Sequence, residues 1–125
     1  MTHKFWFVLK AAACLVFGIL FLAVPALAMS LFGVTLDAGG VLMARLYGAS
    51  LAGNLLIHWL ARDSGPSIAR RAIVWGCFIY DAIGLVVALV AVLTGVMGAM
   101  GWLPVLIYLV LTFGFGYLAI FRPES

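Results

Sequence analysis

The stretch Val41-Leu-Met-Ala-Arg-Leu-Tyr-Gly-Ala-Ser-Leu-Ala-Gly-Asn-Leu-Leu-Ile-His-Trp-Leu-Ala61 decides the fold. As a helix rising 1.5 Å per residue it reaches roughly 30 Å, the thickness of a bilayer's hydrocarbon core. It also carries more polar side chains than the other long apolar stretches. At helical spacing Tyr47, Ser50, Asn54 and His58 share one stripe; Arg45, Gly48, Ala49 and Ala52 share another, about half a turn away. A spanning helix with a polar stripe and a small-residue stripe needs packing partners on two sides.

Three more stretches of the same kind surround it. The chain has 125 residues, of which 67% are hydrophobic and 9% charged. A soluble domain of this size carries about 25% charged residues, and its single core is too small to hide so many apolar side chains. Lipid is therefore the expected solvent. Four spans are predicted, at about 5–24, 41–61, 72–94 and 102–121, in a single domain covering 1–125. The expected architecture is all-α, a four-helix transmembrane bundle of up-down topology. The Ala26-Leu27-Ala28 run has the form of a signal-peptide cleavage site; we read the first segment as retained.

The connections are short. Pro25 ends the first helix, and Met29 to Val34 is apolar but too brief to span, so it is read as an interfacial piece. Asp37 with Gly39-Gly40 turns the chain into the second span. Arg62 to Arg71 is hydrophilic, with Asp63 or Ser64 as a cap and Pro66 opening a short helix. Gly95 to Gly101 is a glycine-rich turn.

Orientation follows from the cations. Lys4 and Lys10, then Arg62, Arg70 and Arg71, then Arg122 fall near one end of the spans, and the other two loops have no Lys or Arg. The positive-inside rule predicts both termini in the cytoplasm of a cell whose inner (plasma) membrane holds the protein. Trp6, Trp59 and Trp75 would mark the inner interface and Trp102 the outer one.

Polar residues inside the spans are the candidate functional groups, because each needs a partner in hydrocarbon. Counted at 1.5 Å per residue, Asn54 and Asp81 lie at nearly the same depth on consecutive antiparallel helices, so they are expected to meet. Lys10 either reaches up to Asp81 or snorkels to the headgroups. Asn54, Asp81, His58 and Lys10 form the expected intramembrane polar cluster. Arg45 lies too far out to pair with Asp81; Asp37, Tyr108 or loop carbonyls are its expected partners, an anchor at the outer face.

Little else points to chemistry. Cys14 and Cys77 both lie in apolar segments, without the spacing of a zinc or iron–sulfur site. No metal and no cofactor is expected. His58 lacks a second intramembrane histidine for a bis-histidine haem. No serine or cysteine stands beside a base, and no HExxH or CxxC motif occurs. An enzyme would have to work with Asp81, His58 and Tyr47 alone. The net charge of +3 is explained by topology and not by nucleic-acid binding.

Three runs, Leu31-Phe32-Gly33, Ala44-Arg45-Leu46-Tyr47-Gly48-Ala49 and Trp59-Leu60-Ala61-Arg62, resemble small bacterial four-helix membrane proteins of unknown function. The chain is similar to the wider group that includes DoxX-like proteins. The resemblance implies a four-helix inner-membrane bundle and carries no established active site. The expected role is a non-enzymatic accessory or scaffolding subunit, whose partners are the lipid bilayer and either other membrane subunits or further copies of itself. Two alternatives stand beside it: a small homo-oligomeric transporter or channel using Asp81 and Asn54, and a membrane redox or quinone-handling protein.

Overall fold

The computed structural model describes residues 2–122. It is 83% helical, with no strand among the described residues. The helices are α1 (His3–Ala23), α2 (Pro25–Leu31), α3 (Ala38–Ala61), α4 (Ile68–Leu93) and α5 (Trp102–Phe121), with a 3₁₀ turn at Ala99–Gly101 before α5. The α1, α3 and α4 helices, and the 3₁₀ turn together with α5, are each long and apolar enough to cross a membrane. Their outward faces carry Ile19, Leu46, Leu56, Ile83, Leu106 and Phe113, all largely exposed. A multi-pass membrane protein is the architecture these faces require, because hydrocarbon is the solvent in which they are stable.

Side-chain caps set the helix starts. Thr2 accepts a hydrogen bond from the Phe5 amide, Asp37 from Gly40 and Ser67 from Arg70. The Ser67 cap starts α4 four residues before the expected span. It leaves Pro66 outside the helix, and Asp63 pairs with Lys4 instead of capping. Pro25 also does more than stop α1: it occupies the first turn of α2, where its missing N–H costs nothing. After α2, Gly33 turns the chain at φ +78°, and the Gly98 amide donates to the Phe32 carbonyl at 2.8 Å. That bond ties together the two connections at the end of the bundle opposite the termini.

The helices pack as two tight pairs, α1 with α3 and α4 with α5. In the first, Gly18 lies against Gly48, Leu51 and Ala52. In the second, the Tyr108 ring covers Gly84 and the Phe78 ring covers Gly116. Missing Cβ atoms allow close approach in both. The pairs join at the termini end through a core that includes Trp6, Phe7, Cys77, Leu111, Phe115 and Leu118. Trp6 is therefore not an interface anchor. It is buried, because Gly114 leaves a slot that its indole fills. Toward the opposite end a second cluster, Cys14, Phe21, Ala28 and Leu51, draws on α1, α2 and α3 alone. The two pairs separate there.

Candidate functional site

The separation of the pairs leaves a cavity of about 550 Å³ in the half of the bundle away from the termini. Phe17 and Phe21 of α1, Met29 of α2, Leu51 of α3, Ala88 and Ala91 of α4, and Ile107 of α5 supply much of its wall. Met43 on α3 and Val87 on α4 also line it, and each is 64% exposed. The backbones of α3 and α4 scarcely approach one another, so the wall is exposed along this pair of helices, and it is exposed also at Val96 in the connection before α5.

The hydrogen-bonding side chains on the wall are Lys10, Tyr47, Tyr80 and Tyr108. Lys10 Nζ donates to Asp81 Oδ1 at 2.6 Å, with the side chains 3% and 0% exposed. The same ammonium lies 4.4 Å from the centroid of the Tyr80 ring, a cation–π contact. The Tyr80 hydroxyl donates to that of Tyr47 at 3.2 Å, and Tyr47 shares a 2.6 Å bond with Tyr108. A continuous polar chain thus runs from Asp81 to Tyr108 across all four spanning helices. Asp81 Oδ2, by contrast, is buried without a hydrogen-bond partner among the described residues.

The fate of each expected site residue is specific. Lys10 and Asp81 come together. Asn54 does not pair with Asp81: its amide donates to the Ser50 carbonyl of its own helix at 2.9 Å, while Asp81 accepts from Lys10. His58, on α3, is buried among Phe7, Phe115 and Cys77, and that cysteine lies one turn from Asp81 along α4. The Asn54 carbonyl can only accept, so His58 Nδ1 carries the hydrogen that bonds it at 2.7 Å, and Nε2 receives the Cys77 thiol. With both ring nitrogens engaged, His58 is a packing residue that ties α3 to α4. Among the described residues no group of three His, Cys, Asp or Glu side chains is placed to hold a metal.

The outer-face anchor does not form. Asp37 caps α3, Tyr108 turns inward to Tyr47, and Arg45 is exposed with no hydrogen bond or ion pair to any described residue. Tyr108 lines the cavity and Arg45 does not, while the Asp37 carboxylate is taken up by the Gly40 amide.

Sequence reasoning overlooked Tyr80 and the tyrosine cluster. A depth signal was present: counted from the termini end at 1.5 Å per residue, Tyr80, Tyr47 and Tyr108 fall within about 3 Å of one level, roughly 18 to 21 Å into the bundle. No protein-family model, curated protein or solved structure matches the chain. Its role is therefore argued from the geometry.

Proposed function

We propose that this protein binds a lipid-soluble molecule inside the bilayer, taking it in sideways between α3 and α4. The observation that carries this reading is the cavity of about 550 Å³, apolar except for a compact polar patch. That volume and that wall chemistry are typical of small-molecule sites. A mouth flanked by Met43 and Val87 suits a guest that never leaves hydrocarbon.

Of the roles expected from sequence, handling of a lipid-soluble molecule such as a quinone lies nearest to this reading. An accessory role fits within it, as a subunit that holds a guest for a membrane partner. An ion route through Asp81 and Asn54 has less support, because Asp81 is sealed against Lys10 and Asn54 bonds its own helix. The cations Lys4, Arg62, Arg70, Arg71 and Arg122 at one end support cytoplasmic termini in an inner (plasma) membrane. The mouth and cavity then belong to the outer leaflet.

Native mass spectrometry from lipid nanodiscs tests the proposal. Ala88 is buried against the cavity, so Ala88→Trp fills it without touching the outer surface. The wild type should retain a discrete lipophilic adduct that Ala88→Trp loses. An adduct retained equally by both proteins would assign it to the outer surface and contradict the proposal.

A further inference from the structure

We propose a second site at the opposite end of the bundle from the cavity: a groove in which His3, Arg70, Arg71 and Arg122 receive the phosphate of an anionic phospholipid. These four residues line one shallow groove floored by Val74, Leu118 and Ala119. They come from the start of α1, the start of α4 and the residue that follows α5, so it is the fold that gathers them. The positive-inside rule asks only that cations lie on one side of the membrane. It does not ask them to face one groove.

Charge at this end is divided unevenly. Lys4 pairs with Asp63 at 3.0 Å, and Arg62 lies over the Trp59 ring with its Nε 3.6 Å from the same carboxylate. Arg70 is buried, and its guanidinium is fixed by donating to the Ser64 carbonyl at 2.5 Å. Arg71 and Arg122 are exposed and make no hydrogen bond or ion pair with another described residue. Among the described residues no Asp or Glu lines the groove. A phosphate set between the exposed guanidinium groups relieves their repulsion and accepts charge-assisted hydrogen bonds. Basic pockets between spanning helices on one side of a membrane are a recurring site for such head groups. The neighbours identify the source of the phosphate. Trp75, one turn along α4 from Arg71, and Phe121, next to Arg122, are exposed aromatic side chains. A phosphate held here thus lies at the level where apolar surface begins, and its acyl chains run into hydrocarbon. A phospholipid with net negative charge fits best, because a zwitterionic head brings a cation of its own into the groove.

Native mass spectrometry of the full-length protein in detergent, titrated with dioleoylphosphatidylglycerol or dioleoylphosphatidylcholine, tests the assignment. The wild type should bind the anionic lipid about tenfold more tightly, a factor set by two arginines beside one negative charge. Arg71→Gln with Arg122→Gln should abolish that preference and leave binding of the zwitterionic lipid unchanged, which also shows the variant folded. Lys4→Gln with Arg62→Gln removes the same charge and should keep the preference. Equal losses in the two double variants would assign it to diffuse charge and overturn the groove. Millimolar inorganic phosphate should not displace the lipid; displacement would make this a site for free anions and overturn the lipid assignment. A wild type without preference that gains one on Glu124→Gln would mean that the chain's own carboxylate fills the groove, which also overturns the proposal.

Discussion

Lys10 and Asp81 place two charges in the middle of the bundle, 2.6 Å apart and almost wholly shielded. Neither tolerates hydrocarbon alone, so each depends on the other. Asp81→Asn or Lys10→Met should each destabilise the fold by about 3–5 kcal/mol, because an uncompensated buried charge or a broken network remains. Lys10→Met combined with Asp81→Leu should recover most of that loss. Unfolding in sodium dodecyl sulfate measures it; additive single-site losses would contradict the pairing. Lys4 and Asp63 form a second ion pair, at 3.0 Å, but both side chains are about 60% exposed. The hydrogen bond from Lys4 holds the Asp63 carboxyl below the usual carboxylate range. Its stabilisation is therefore present above that usual range and is lost as pH falls through the lowered value. Water and salt screen the pair, so Asp63→Asn should leave the unfolding midpoint unchanged at neutral pH and physiological salt.

Two glycines of α3, five positions apart, separate packing from propensity. A Cβ on Gly48 would sit 3.0 Å from the Leu22 amide nitrogen and 3.2 Å from the Phe21 carbonyl carbon, against backbone that cannot swing away. Gly53 has nothing within 4 Å. Gly48→Ala should cost about 1–3 kcal/mol by forcing α1 and α3 apart, and Gly53→Ala should cost nothing, both read from the same detergent unfolding curves. Equal effects would mean that α1 and α3 do not pack as described. The existence of α3 was legible in its length and hydropathy, and Asp37 was legible as the residue that opens it. Its neighbour was not. Depth arithmetic set Asn54 level with Asp81, but level groups meet only if their side chains turn to the same seam, and Asn54 turns to its own helix while Asp81 turns to Lys10. Contact depends on how small residues interlock, Gly48 on Leu22 and Gly84 on Tyr108, which one helix's periodicity does not contain.

At the scale of the molecule, four spans follow from local transfer free energies summed along the chain, and for that reason composition and hydropathy foretold them. The cavity is a place where packing is missing, and no residue pattern announces an absence. It arises because the core joins the pairs only at the termini end, while the cluster of Cys14, Phe21, Ala28 and Leu51 holds α1, α2 and α3 to themselves. Bilayer-soluble molecules should therefore reach side chains that the protein's outer surface conceals. Photolabelling in nanodiscs with a diazirine-bearing alkane, mapped by peptide mass spectrometry, reads this directly. Label should appear on the buried wall residues Cys14, Leu51 and Ala88 and fall away there in Ala88→Trp; label confined to outward residues such as Leu56, Ile83 and Phe113 would contradict a cavity open to lipid.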